Sequence, residues 1–363
     1  LNILGRSSDD IDFFAMETLQ NPWLELKDRC SAPPKWKDLN ILGKKRKSLI
    51  VNHHLAHASM FFLSQKKNAT VITCDGGGDF GERVAVYHGK NHQLEKSCIG
   101  IREFISAKPY DIFSTFVYGS PMCEGKFMAL GAYGSPREDY LKQIEDNLIK
   151  LSTTTYEEGD TLLTKLFPSL KCSANNPNKD TFDLAASVQK VFADRRIADI
   201  KKIVGMQDET SLVLSGGACL NLEANTRVWR EIDNTCFIPP CCDDTGESLG
   251  ALSYLITQVF DSRPITNLPY VGDIDYPGNT TFETISTAAH LLDEGYILLV
   301  HNGSAEIGPR ALGNRSFIAR ADSEELKIII SEHIKGREFY RPVAPITTED
   351  HASDYYVGPK SSP

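Results

Sequence analysis

Apolar and polar positions follow different rhythms along this chain. Ala69-Thr-Val-Ile-Thr-Cys and Arg83-Val-Ala-Val-Tyr-His are β-rich runs, and the glycine-laden Asp75-Gly-Gly-Gly-Asp-Phe-Gly between them predicts a hairpin. Leu184, Val188, Val191, Ile197, Ile200 and Val204 recur every three to four residues, the period of a long helix, with Asp180 or Thr181 as its N-cap. Ser211-Leu-Val-Leu-Ser reads as a buried strand running into Gly216-Gly217 and a helix start. Thr235-Cys-Phe-Ile-Pro-Pro reads as a second strand, leading through Asp243-Asp-Thr-Gly-Glu-Ser-Leu-Gly into a helix over 247–260. Asp10-Ile-Asp-Phe-Phe-Ala-Met and Leu49-Ile-Val-Asn predict short strands, residues 53–64 a compact helix, 89–135 a less regular stretch and 137–180 a helical insertion. Residues 262–281, rich in Pro, Gly and Asn, read as a linker. A smaller unit begins near 282: helix 282–294, strand 296–301, a Gly/Pro loop 302–316 and helix 323–334, which Asp322 and Glu325 would cap.

Composition narrows the class. A length of 363 residues predicts two or three domains. Hydrophobic residues at 41% and charged residues at 24% exclude wholesale disorder, collagen-like sequence and a disulfide scaffold. Acidic residues outnumber basic ones 48 to 39, so there is no general pull toward nucleic acid or an anionic membrane. Nine cysteines, an odd number without CxxC spacing, predict reduced thiols and a cytoplasmic setting; the Cys241–Cys242 pair is open to metal or to plain burial. No apolar run approaches the roughly 18 residues of a membrane span, and no secretory signal opens the chain.

The chemistry concentrates in three places. His53 and His57 in Val51-Asn-His-His-Leu-Ala-His-Ala are one helical turn apart and can converge on one ion, while His54 points elsewhere. Two imidazoles need carboxylates to complete a shell. Asp75 at the hairpin tip and Asp244 at the later strand-to-helix turn would make a mixed N/O site for Fe(II), Mn or Zn, with Asp79 and Asp243 as competitors. The plain alternative is a helix with incidental histidines. Second, Asp75-Gly-Gly-Gly-Asp and Ser215-Gly-Gly-Ala fit two phosphate- and nucleoside-binding turns, where backbone N–H groups face an anion. Together they predict a duplicated α/β domain of the actin, sugar-kinase and chaperone-ATPase type. Third, Arg310, Arg315, Arg320, Lys335, Arg337 and Arg341 fall within 32 residues, the first two in a loop fixed by Gly and Pro, which suits a phosphate-bearing substrate better than a merely solvated face.

Six motifs then occur in a telling order: His53-His-Leu-Ala-His-Ala, Gly125-Lys-Phe-Met-Ala-Leu-Gly-Ala-Tyr-Gly, Leu214-Ser-Gly-Gly-Ala-Cys-Leu-Asn, Asp244-Thr-Gly-Glu-Ser-Leu-Gly-Ala-Leu, Gly308-Pro-Arg-Ala-Leu-Gly-Asn-Arg-Ser and Lys335-Gly-Arg-Glu-Phe-Tyr-Arg-Pro-Val-Ala-Pro. Nearly the whole chain resembles the nodulation-protein and antibiotic O-carbamoyltransferases. The resemblance implies a metal- and nucleotide-binding transfer domain over 1–262, a linker over 263–281, and over 282–363 the first part of a small α/β domain that forms carbamoyl-adenylate from carbamoyl phosphate and ATP. It implies His53, His57, Asp75 and Asp244 as ligands of Fe(II) or another divalent transition metal, with ATP and Mg as further cofactors. Gly76, Gly77, Gly216, Gly217 and Asn221 would line the nucleotide. Lys126 would touch phosphate, and Arg310, Arg315, Lys335 and Arg341 would hold carbamoyl phosphate. His54 is the candidate base for the acceptor hydroxyl.

The acceptor is a natural product, a sugar or a hydroxymethylated pyrimidine, with no membrane partner, and the protein could act as a homodimer. Threonylcarbamoyl transfer to tRNA adenosine and a non-catalytic ATP-binding module are the competing readings. The acidic balance and the Arg310–Arg315 loop oppose the first, and the histidine box opposes the second. Relatives begin with a His-Asp-Ser segment and continue well beyond Pro345, so this stretch is expected to lack both ends of the family pattern. The 363-residue polypeptide alone is therefore expected to show weak or no overall turnover of carbamoyl phosphate and ATP in an acceptor assay. Robust turnover would refute this.

Overall fold

The computed structural model describes residues 11–17, 34–97, 104–206, 211–264, 268–271 and 281–358. Strands β1 (Phe14–Glu17), β2 (Lys35–Ile41) and β3 (Lys44–Val51) form a sheet of order β1-β3-β2, with β1 parallel and β2 antiparallel to β3. The β2–β3 hairpin escapes a reading of hydrophobic alternation because lysines and an arginine fill 44–47, and only Ser48–Val51 are buried. The chain leaves β3 directly into α1 (His53–Ala58), all six of whose residues are buried. Two side chains start this helix: Asn52 accepts from Leu55 N, and Asp79 Oδ2 accepts from His53 N at 3.0 Å. The helix expected to reach residue 64 ends at Ala58 and tightens into a 3-10 turn, Ser59–Leu63.

The predicted hairpin forms from β4 (Asn68–Cys74) and β5 (Val84–Lys90), extended by β6 (Gln93–Lys96). Helices α2 (Lys108–Tyr118) and α3 (Glu124–Gly131) occupy the stretch expected to be irregular. Helices α4 (Glu138–Thr153) and α5 (Tyr156–Leu166) form the helical insertion. The long helix α6 (Lys179–Val204) is capped by Asn178, whose side chain accepts from Thr181 N at 3.0 Å, not by Asp180 or Thr181. Strand β7 (Leu212–Ser215) then joins parallel to β4, giving a second sheet of order β6-β5-β4-β7. Residues 235–240 make only one bridge, Val213 with Phe237, since Pro239 and Pro240 have no N–H to continue a ladder. The result is the expected mixed α/β architecture. Its largest core cluster joins the inner face of the second sheet to α2–α6.

After α7 (Leu222–Glu231), helix α8 (Glu247–Phe260) crosses α1. At the crossing a Cβ on Gly250 would stand 2.0 Å from the Ala56 carbonyl oxygen, so only glycine allows this approach. Leu55, Phe62, Ala251 and Leu255 pack around the contact.

The linker expected at 263–281 lies largely outside the described residues; β8 (Tyr270–Val271) falls within it. Beyond it come α9 (Phe282–Asp293), β9 (Leu298–His301), β10 (Ala305–Glu306), which pairs with β8, and β11 (Arg315–Ile318), which pairs with β9. The expected loop over 302–316 thus contains one short strand and the start of another. Helix α10 (Glu324–Ile328) continues as a wider π turn to Ile334. Its cap is Ser323, which accepts from Leu326 N at 3.2 Å, while Asp322 pairs with Arg320 instead. Ile307 packs with Met60, Leu63 and Cys241, which ties this part of the chain to the earlier one.

The seven described cysteines are free thiols, and Cys241 and Cys242 are buried in separate apolar clusters. No helix among the described residues is long and apolar enough to cross a membrane.

Gly250→Ala is expected to destabilise the protein by about 1–3 kcal/mol through overpacking of α1 against α8. Urea unfolding monitored by circular dichroism measures it, and an unchanged midpoint would show that the crossing tolerates a methyl group.

Candidate functional site

Strands β4 and β7 run parallel with Thr73 opposite Ser215, so their C-terminal ends deliver Asp75 and Gly216-Gly217 to one edge of the sheet. Gly216 has φ +96°, and a Cβ there would stand 2.3 Å from the Cys74 carbonyl oxygen. Asp75 joins the two loops: its Oδ2 accepts from Gly217 N at 2.6 Å and its Oδ1 from Gly76 N at 2.5 Å. Gly76 and Gly77 face open space, where an added Cβ would meet nothing within 4 Å. The Gly76 N–H is nonetheless taken by Asp75 and its carbonyl by Arg83 Nε at 3.2 Å, so what the tip offers is open space beside the glycines.

Helix α1 presents His53 and His57 to the same edge. His57 Nε2 lies 3.5 Å from Asp75 Oδ2, 3.5 Å from Asp244 Oδ1 and 3.5 Å from Glu247 Oε1. His53 Nδ1 touches Glu247 Oε1 and lies 3.5 Å from Glu17 Oε1. Ligand atoms of His53, His57, Asp244 and Glu247 all fall within 4.8 Å of one another. Both ring nitrogens of His53, Nε2 of His57 and Oε1 of Glu247 are buried without a hydrogen-bond partner: close together, yet misaligned for proton sharing. Metal–N and metal–O bonds of about 2.0–2.2 Å at tetrahedral angles would space ligand atoms about 3.4 Å apart. The orphaned atoms and their spacing thus fit a divalent metal. Asp244, with 45% of its side chain exposed, marks the open approach.

The electrostatics follow from burial and neighbours. Burial alone would lower the His53 value, but the Glu17 and Glu247 carboxylates reverse it and hold the imidazole well above its ordinary value. His57 likewise is pushed up to about 9, against burial, by Asp244 and Asp75. Burial would raise Asp75; His57 and the Gly217 N–H instead bring it down to about 2. Burial pushes Glu247 upward, with His53 opposing.

Several expectations change here. Asp75 Oδ2 stands as near His57 Nε2 as Asp244 Oδ1 does, and Glu247 is an added neighbour that groups with His53, His57 and Asp244. Asp79 caps α1, and Asp243 accepts from the Thr245 hydroxyl, so neither competes for the cluster. His54 does not suit the role of base. Its Nε2 donates to the Glu82 carbonyl at 3.0 Å, its Nδ1 meets the Thr73 hydroxyl at 2.8 Å, and burial, then the neighbouring His53, lowers its value to about 3. Asn221 does not line open space either. It caps α7 through Ala224 N and exchanges two 2.9 Å hydrogen bonds with Gln189. Arg315 donates to the carbonyls of Asn302, Gly303 and Asn314, so its fork is taken up in holding the β9–β11 turn.

Lys126 pairs with Glu338 at 2.7 Å. Lys335 lies over the Phe317 ring at 5.4 Å. Burial lowers the Arg337 value, and the Arg341 and Arg310 charges lower it further. Sequence reasoning overlooked Glu247, although it follows Asp244 by three residues at a helix start. It also overlooked Glu17, which only the parallel pairing of Glu17 with Val51 brings beside His53.

Comparison with known proteins gives the family. The model described as "Carbamoyltransferase N-terminus" matches residues 23–252, and "Carbamoyltransferase C-terminus" matches residues 289–363. The chain belongs to the carbamoyltransferase family. It is 29% identical to Nodulation protein NolNO of Sinorhizobium fredii over 86% of this chain and 49% of that protein. It is 28% identical to an uncharacterized protein of Synechocystis, sll1178, over 87% of this chain and 57% of that one. The chain thus spans about half the length of these curated relatives. Full-length HypF in its phosphate- and nucleotide-bound form superposes with a TM-score of 0.33 at 13% identity, over 59% of this chain and 44% of that chain.

The raised His57 value makes stability depend on pH. A histidine at 6.5 unfolded and about 9 folded contributes stability that is complete below 6.5 and is lost as pH rises through 9. Metal-free protein is expected to lose on the order of 3 kcal/mol from His57 between pH 6.5 and pH 9.5, with a further loss in the same direction from His53. Urea unfolding in chelator measures this, and a flat profile would overturn the assignment of a protonated imidazole.

Proposed function

We propose that this carbamoyltransferase-family chain serves ATP-dependent transfer of a carbamoyl group from carbamoyl phosphate, through carbamoyl-adenylate, to a hydroxyl of a small molecule, sugar or modified nucleobase. One observation carries the reading: two imidazoles and two carboxylates, with unsatisfied buried atoms, converge beside paired glycine loops at one sheet edge.

The residues divide the work. His53, His57, Asp244 and Glu247 would hold a divalent transition metal, Fe(II) being the family expectation. That ion would supply a Lewis acid for charge developing on the acyl oxygen and the adenylate phosphate. Asp75 keeps the two glycine loops together, so that the Gly76-Gly77 tip and the Gly216-Gly217 turn approach the nucleotide from adjacent strands. Mg would accompany ATP.

His54 and Asn221 hold their elements in place and leave the reacting groups to others. Arg310, Arg337 and Arg341, with Lys335 nearby, would take the carbamoyl phosphate dianion, for which clustered guanidinium forks suit both charge and geometry. The division of labour between residues 1–262 and 282–363 belongs to this reading.

The test separates transfer from activation. The protein is loaded with Fe(II) or Mn(II), given preformed carbamoyl-adenylate and a panel of hydroxyl acceptors, and products are identified by the mass of one added carbamoyl group. His57→Ala and Glu247→Gln are expected to lower transfer on the order of 100-fold and to lower bound metal per chain. Wild-type transfer by both variants would sink the reading.

A further inference from the structure

The segment 335–341 lies against α2 and α3. Tyr340 is buried, and its hydroxyl shares a 2.8 Å hydrogen bond with the Tyr118 hydroxyl. Phe339 meets Tyr133 edge to face, ring centroids 5.7 Å apart. Between these aromatic anchors and the arginine cluster sits Glu338. Its Oε1 receives Lys126 Nζ at 2.7 Å, and its Oε2 lies 3.7 Å from Arg341 Nη1. Among the described residues, neither Arg310 nor Arg337 has a carboxylate in ion-pair range. Glu338 thus faces Lys126 and Arg341 directly and acts on Arg337, whose value the Arg310 and Arg341 charges also lower, so one carboxylate stands among cations drawn from both halves of the chain.

We propose that Glu338 is an internal stand-in for the substrate anion: it holds Lys126 until a phosphate dianion reaches the arginines, and Lys126 then passes from Glu338 to that anion. This rests on the reading of the arginine cluster as the carbamoyl phosphate site. Three considerations support the exchange. The Lys126–Glu338 pair is about one-third exposed on each side, and single pairs of that kind are weak. A phosphate dianion carries twice the charge of a carboxylate, so at equal distance it attracts the ammonium more strongly. A dianion among Arg310, Arg337 and Arg341 repels the adjoining Glu338 carboxylate, while Tyr340 and Phe339 keep the segment docked. Lys126 is a residue of α3, so anion arrival in the C-terminal part changes a contact of the helical layer that packs on α6.

The probe is inorganic phosphate. Lysines of the whole chain are reductively methylated with ¹³C-formaldehyde, which keeps their charge, and the Lys126 resonance is assigned by its absence in Lys126→Arg. Exchange predicts that the Lys126 signal shifts as phosphate is titrated. It also predicts that Glu338→Gln binds phosphate about fivefold more tightly by calorimetry, and that this gain shrinks in a Lys126→Met background. An unmoved Lys126 signal, with phosphate binding intact, overturns the exchange and leaves Glu338 as a fixed tether. Failure of both wild type and Glu338→Gln to bind phosphate overturns the anion-site reading, and the exchange with it.

Discussion

The close crossing of α1 and α8 carries the rest of the structure. Gly250 rests on the Ala56 carbonyl, and the side chains that converge lie a turn or two from that point: His53 and His57 on α1, Glu247 at the start of α8 and Asp244 just before it. Missing one methyl group lets two backbones approach, and the approach sets the distance between imidazoles and carboxylates. The contact is clamped by Leu55, Phe62, Ala251 and Leu255, so apolar burial supplies the force that holds like charges and unpaired polar atoms together.

What distinguishes the cluster is the contrast with its neighbours. Buried polar groups are normally hydrogen-bonded, because an unmade bond in a low dielectric is costly. Around this site the rule holds: both nitrogens of His54 are engaged, Asn221 and Gln189 satisfy each other, and Asp79 caps α1. It fails at His53, His57 and Glu247, whose unpartnered atoms crowd together. A fold that satisfies adjacent groups and leaves these unpaired is the contrast on which the proposal of a bound metal rests.

The same contrast orders the C-terminal part. Arg315 has its guanidinium filled by three carbonyls, and Arg320 is paired with Asp322, so neither has charge to offer outward. The Arg310 and Arg341 charges both act on Arg337, and Arg341 has Glu338 at 3.7 Å. Among six cations close in sequence, partners rather than spacing thus set Arg315 and Arg320, held within the fold, apart from Arg310, Arg337 and Arg341. The segment bearing two of the latter reaches back through Tyr340 and Glu338 to α2 and α3, which places the anion cluster beside the larger core.

Local rhythm was enough to read much of this. The periodicities of 69–88 and 184–204 marked the β4–β5 hairpin and α6, the i, i+4 spacing put His53 and His57 on one face, and the glycine runs marked the two turns. The ordered motifs named the family. The β2–β3 hairpin stayed hidden behind its lysines, and the caps shifted to Asn178 and Ser323 because a cap depends on the φ/ψ of one residue rather than on a pattern. Sequence spacing determines which side chains share a face within one element. Only the tertiary structure decided which elements meet: that Glu247 and Glu17, far apart in the chain, stand beside the same histidine, and that His54, Asn221 and Arg315 already have their partners. Those outcomes rest on long-range packing and on the satisfaction of buried polar atoms, neither of which has a period in the sequence.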